Sequence, residues 1–167
     1  HTIRVNLTGG KDKADAVKAS VDSLTRLSDF AKGSSINVLV ENHGGFSSNG
    51  AWMKDVFTQV KNENCGTLPD FGNFCMTKKN KEYVDEYNRY QGTADLLPFA
   101  KAVGAKSYNF DADGNETKTD YYRVMKMVKK SRDKGFVGIE YEGIADSEDD
   151  VIKLTRDLLI KVGKQLS

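Results

Sequence analysis

The sequence predicts a parallel α/β fold. Short apolar runs of strand length alternate with stretches of helical periodicity from end to end, the pattern made when helices cover a parallel sheet. Residues 36–40 (INVLV) form an almost continuous apolar run, as expected of a strand buried on both faces. The residues that close the apolar runs are mostly carboxylates, and in parallel α/β proteins ligands bind at the C-terminal ends of strands.

Ile3, Val5 and Leu7 alternate as in a strand, and Ala14, Val17, Val21, Leu24 and Leu27 recur at helical spacing until Gly33 stops the stripe. The run 36–40 is the second strand. Trp52, Val56 and Val60 mark the helix after it, with Ser48 or Asn49 as its cap. Residues 65–70 make a short third strand curtailed by Pro69, and Phe71, Gly72 and Asn73 read as a tight turn. Between 81 and 102, Gly92 and Pro98 interrupt any single long helix. The spacing of Tyr83, Tyr87 and Tyr90 reads as one helix face, for packing rather than sugar stacking.

Residues 102–108 are the next strand. Asp113, Gly114 and Asn115 form a turn, and Asp120 caps a helix with Val124, Met125 and Val128 that closes on Lys129, Lys130, Arg132 and Lys134 before Gly135. Residues 136–141 form the last strand. Ser147 and Asp150 open a helix bearing Val151, Leu154, Leu158 and Val162. With no linker or low-complexity tract, one domain over residues 1–167 is expected.

Lys and Arg number 25 against 24 Asp and Glu, a net charge of +1. That gives no long-range field for nucleic acid or an anionic membrane. Mean hydropathy is −0.56, with no apolar run approaching the roughly 18 residues of a membrane span. A small neutral or weakly charged ligand fits better. Cys65 and Cys75 have no CxxC spacing and read as packed thiols. The compartment stays open between the cytoplasm and export after removal of a leader.

Glu41 ends the second strand, Asp70 the third and Glu140 the last, separated by 29 and 70 residues. Those intervals match roughly one and two βα units of about 30 residues, so the three acids are expected to converge. Carboxylates in one closed site repel unless a cation sits between them, and oxygen ligands suit Mn²⁺ or Mg²⁺. Such a site serves proton transfer beside a carbonyl through an enediolate, with Glu41 and Glu140 as the acid/base pair. Glu142 points to the same face as Glu140 by strand alternation and is its rival. His43, Lys106 and Tyr108 are candidate substrate-binding groups. The alternative for His43 is a loop histidine supporting the Gly44–Gly45 turn. Lys106 interrupts an apolar strand, where an unpaired ammonium is costly, so it either snorkels outward or faces a polar site.

Four segments in order, VLVENHGGFSSNG, GTLPDFGNF, AKSYNFDADGNET and GFVGIEYEG, resemble the xylose-isomerase-like sugar phosphate isomerase/epimerase family over nearly the whole chain. The resemblance implies a (β/α)₈ TIM barrel with a divalent metal at successive strand ends. It implies that Glu41, Asp70 and Glu140 are metal ligands, with Glu41 and Glu140 also moving the proton. Zn²⁺ or Co²⁺ are alternatives to Mn²⁺ and Mg²⁺. Where relatives carry a metal-binding His, the matching residue is Tyr108, which puts the fourth ligand in question.

A full barrel takes about 250 residues, and the resemblance aligns this chain with the last five βα units. The expectation is an incomplete barrel that belongs to a longer chain or associates with another copy or fragment. The expected partner is a sugar, and the expected function metal-dependent isomerisation or epimerisation. The alternatives are a non-catalytic carbohydrate-binding barrel and a lyase or hydrolase of oxidised sugars. An endonuclease built on the same fold is disfavoured by the two histidines and the balanced charge.

Overall fold

The structure, a computed structural model, describes residues 1–8, 12–80, 82–131, 135–144 and 147–167. Its elements are β1 (Thr2–Val5), α1 (Lys13–Lys32), β2 (Asn37–Glu41), α2 (Gly50–Gln59), β3 (Cys65–Leu68), β4 (Cys75–Lys79), β5 (Glu82–Glu86), α3 (Arg89–Leu96), β6 (Val103–Ser107), α4 (Tyr121–Ser131), β7 (Val137–Tyr141) and α5 (Glu148–Leu166).

Helix starts follow local chemistry. Asp12 accepts from the N–H groups of Ala14 and Asp15, Asn49 from Trp52 and Asp120 from Arg123. Ser147 accepts from Asp150. Each cap satisfies N–H groups left over at a helix start and contributes about 1 kcal/mol. The expected continuation of α4 to Arg132 and Lys134 lies outside the described residues.

β1, β2 and β3 pair in parallel in that order, as do β6 and β7. Isolated parallel bridges, Thr67 with Ala100 and Asp70 with Gly104, carry β3 across to β6. The five parallel strands therefore follow one another in chain order, but as two sheets, and neither closes into a barrel. β1 and β7 have a parallel neighbour on one side only among the described residues.

Strand alternation sorts the side chains into two sets. Val38 and Val40 face α1 and α2 in one core with Leu24, Met53 and Val56. Val103 and Ala105 face α4 and α5 in a second with Val124, Leu158 and Val162. Burying each of the larger of these side chains is favourable by roughly 1.5–3 kcal/mol. The opposite faces carry Leu39 and Glu41, then Gly104 and Lys106, then Gly138 and Glu140. Outer packing thus fixes which residues turn inward.

Three expectations are corrected. Tyr83, Tyr87 and Tyr90 do not share a helix face. Tyr83 is on β5, Tyr87 lies in the connection after it, and Tyr90 is in α3, because β4 and β5 pair antiparallel and their polar side chains hide their strand character. Ala14 is exposed, whereas Val17 and Leu24 are buried and Val21 and Leu27 pack against the core, in a stripe that also takes in Ala16, Ser20, Ser28 and Ala31. In α5, Leu154 is 41% exposed while Thr155 is buried, because the Thr155 hydroxyl meets Ser107 on β6.

Candidate active site

Strand stagger builds the site. Glu41 sits beside Leu68, Asp70 lies two residues further along and beside Gly104, and Lys106, two further again, pairs in register with Glu140. Each step of two residues keeps the side chain on the inner face. One carboxylate oxygen from each of Glu41, Asp70 and Glu140 lies within 4.8 Å of the others. Glu41 and Asp70 are buried, whereas the Glu140 side chain is about half exposed.

Asp70 is held by its neighbours. Its Oδ1 accepts from the N–H groups of Gly72 and Asn73, both at 2.8 Å, and its backbone N–H donates to Asn42 Oδ1 at 2.7 Å. Oδ2 is buried with no hydrogen-bond partner among the described residues. A Cβ on Gly104 would stand 3.1 Å from this oxygen, so the glycine keeps its surroundings open. Burial pushes the Asp70 carboxyl up to about 7. The Lys106 charge and the Gly72 N–H oppose that shift, while Glu140 and Glu41 reinforce it.

Lys106 does not snorkel. It is 1% exposed; its ammonium donates at 2.9 Å to Asn73 Oδ1 and Glu142 Oε2 and forms an ion pair with Glu140 Oε1 at the same distance. Burial pulls its pKa down, but Asp70 and the bonds to Glu142 and Glu140 outweigh that and leave it above the ordinary lysine value. Glu142 is correspondingly acidified, first by its hydrogen bond from Lys106, against the opposing effect of burial. Glu41 is bridged by Arg4 on one oxygen and accepts from Asn73 Nδ2 at 3.0 Å on the other.

The cluster therefore sets four carboxylates, Glu41, Asp70, Glu140 and Glu142, against two bonded cations, Arg4 and Lys106. Two negative charges are left over, and one buried oxygen has no donor. That donor set fits a hard divalent cation.

His43 lies past the end of β2. Its N–H donates to Ser47 Oγ at 3.0 Å. With Ser48, Asn73, Cys75, Lys78, Tyr83 and Glu142 it lines a cavity of about 150 Å³ beside the acids. Tyr108 is buried; burial, with Tyr83 and Glu142 nearby, keeps its hydroxyl protonated above the ordinary tyrosine range. Lys118 sits 4.0 Å above its ring. Cys65 and Cys75 are buried free thiols.

The profile of the xylose isomerase-like TIM barrel matches residues 2–161. The chain belongs to the xylose isomerase-like TIM barrel family. Among solved structures it is similar to a xylose isomerase-like TIM barrel protein from Mycobacterium smegmatis in complex with magnesium, at 15% identity and TM-score 0.73, over 99% of this chain and 62% of that one. It is also similar to the IOLI protein with a bound zinc atom, at 14% identity and TM-score 0.72, over 99% and 64%. D-psicose 3-epimerase from Clostridium cellulolyticum H10 with D-tagatose matches at 13% identity and TM-score 0.68, over 100% and 65%. The chain thus spans under two thirds of the length of each. No curated protein matches it.

Within this xylose isomerase-like TIM barrel fold, two residues escaped the sequence reading. Asn73 bonds Glu41 with its amide nitrogen and Lys106 with its amide oxygen, joining the two sides of the site. The only signal was its place in the GTLPDFGNF segment. Arg4 stands on β1, where a single cation among apolar residues carried no mark of its partner 37 residues on. No helix among the described residues is long and apolar enough to cross a membrane.

Proposed function

We propose that the chain carries the acid cluster of a metal-dependent sugar isomerase or epimerase that moves a proton next to a carbonyl. The observation that supports this most is the meeting of Glu41, Asp70 and Glu140 within 4.8 Å, together with a buried Asp70 oxygen that has no donor among the described residues. These three residues would hold the ion, Mn²⁺ or Mg²⁺ by the hardness of the donors, with Zn²⁺ or Co²⁺ as substitutes. A divalent ion bound there supplies Lewis acidity toward the oxygens of a ketose or related sugar.

The chain's own groups do the rest. Glu41 and Glu140 come from strands on opposite sides of Asp70, so one takes the carbon-bound proton and the other returns it, by way of an enediolate. Arg4 and Asn73 hold the Glu41 carboxylate in one rotamer. His43 lines the cavity and offers a hydrogen bond to substrate hydroxyls, while Tyr108 is buried with its hydroxyl close to Gly72. Lys106 supplies fixed positive charge beside the sugar. The five parallel strands correspond to consecutive units of an eight-unit barrel, with residues 1–167 forming one domain. The epimerase and metal-bound structures similar in fold support this assignment.

The test is solvent-deuterium incorporation at carbon, followed by NMR for a panel of unphosphorylated ketoses with Mn²⁺ present. Exchange that disappears in Glu140→Gln supports the reading. A full panel without exchange, in protein shown to bind the ion, favours a carbohydrate-binding barrel without turnover, a reading supported by the charge compensation that Lys106 already gives Glu140.

A further inference from the structure

The structure places a second cation at the acid cluster, and it belongs to the chain. Lys106 enters from β6, in register with Glu140. Its ammonium is shared by Asn73 Oδ1, Glu140 Oε1 and Glu142 Oε2 at equal distances of 2.9 Å. Of these acceptors, only Glu140 is also one of the three groups whose oxygens meet within 4.8 Å. Glu142 and Asn73 are not members of that triad. Asn73 has its amide nitrogen committed to Glu41, so its oxygen can turn only toward Lys106.

We infer that Lys106 competes with the divalent ion for Glu140 and so sets how tightly this site takes a metal. The inference rests on the metal reading above and adds a regulating residue to it. An ammonium paired with a ligand carboxylate offsets its charge and repels an incoming cation, and the burial of Lys106 keeps that charge fixed at the site. When Glu140 is engaged by the metal, Lys106 keeps Glu142 and Asn73 as acceptors, so its charge stays compensated and it need not leave the interior. Glu142 is the alternative berth that makes the exchange feasible. Gly72 provides the room, because a Cβ there would come within 2.9 Å of Lys106 Cδ.

The consequence is a site tuned for weak, reversible metal binding. It does not collapse when empty, because Lys106 and Arg4 already offset half of its negative charge. Lys106 acts here as a positioning and affinity-setting residue, not as a group that reacts with substrate.

The experiment is calorimetric titration of Mn²⁺ into metal-free wild type, Lys106→Met, Lys106→Gln and Lys78→Met. Lys78 is an exposed cation at the same cavity and reports the effect of removing any nearby positive charge. Both Lys106 variants are expected to bind one ion at least tenfold more tightly than wild type, and Lys78→Met to change affinity less than threefold. In wild type, the Lys106 ¹⁵Nζ resonance is expected to shift on titration with diamagnetic Zn²⁺, a reading that needs no variant to fold.

Unchanged or weaker affinity in the Lys106 variants, or a wild-type Lys106 resonance that stays still while Zn²⁺ binds, overturns the inference and leaves the metal reading standing. An equal gain in Lys78→Met also overturns it, because general electrostatics then accounts for the effect. If no protein in the set binds an ion, both the inference and the metal reading fall.

Discussion

Lys106 and Glu140 lie opposite each other in the register of neighbouring parallel strands, and their side chains meet at 2.9 Å. The contact ties a fully buried ammonium to a half-exposed acid of the cluster. It also shows why the site is more than three acids at strand ends: each carboxylate is held by a partner from another strand or turn. Asp70 is the exception, with one oxygen bound to backbone N–H groups and the other left without a donor.

That exception sets the pH behaviour of the metal-free protein. The Asp70 carboxyl is raised from 3.8 to about 7 on folding, so the native state binds its proton more tightly than the unfolded chain does. The cost is absent below about pH 4, grows between about pH 4 and 7, and is complete above about pH 7, reaching at most roughly 4 kcal/mol by linkage. Asp70→Asn is therefore expected to stabilise metal-free protein more at pH 8 than at pH 5, as measured by thermal unfolding. A difference independent of pH would contradict the assignment.

The parts of this site that could be read in the chain were those with a local signature. The apolar run 36–40 ended in Glu41, the strand-length run from Cys65 ended in Asp70, and a β-type run ended in Glu140. Period-two alternation also marked Glu142 as facing the same way. Asn73 and Arg4 left no local mark, since their partners are 32, 33 and 37 residues away and only the strand stagger brings them together. The β4–β5 hairpin was hidden for a related reason. Lys78, Lys79, Asp85 and Glu86 make it polar on both faces, so it lacks the alternation that burial on one face imposes. Lys106 was legible as an anomaly, a cation in an apolar strand, but the choice between snorkelling and inward pairing needed its three acceptors.

Gly104→Ala tests the space around Asp70. The new methyl would stand 3.1 Å from Oδ2, so the carboxylate must shift by a few tenths of an ångström. Metal affinity is expected to fall about tenfold or more, as it does when groups that orient ligands are disturbed, while circular dichroism stays unchanged. Affinity equal to wild type would show that Gly104 has no such role.

Asn73→Asp places a carboxylate oxygen about 3.0 Å from Glu41 Oε1, where the amide N–H donates a hydrogen bond. Like charges at that distance disfavour the ionised pair. Deuterium exchange into substrate is expected to slow by at least tenfold at neutral pH, whereas Asn73→Gln should retain more activity. Equal rates in all three proteins would remove Asn73 from the machinery.

Ser107 and Thr155 pair their hydroxyls at 2.7 Å with both side chains fully buried. Thr155→Val removes the closest polar partner of Ser107 and leaves a 3.5 Å contact to the Glu140 carbonyl. A loss of about 1–3 kcal/mol is expected, visible as a lower Tm in a thermal scan. Because the pair lies on the α5 side of β6, metal stoichiometry should not change.

The most direct measurement is calorimetric titration of Mn²⁺ into metal-free wild type, Glu41→Gln, Asp70→Asn and Glu140→Gln, each confirmed folded by circular dichroism. One ion per chain in wild type and its loss in all three variants is the expected result. A wild type that binds no ion, or variants that bind it as well as wild type does, would contradict a metal centre at Glu41, Asp70 and Glu140.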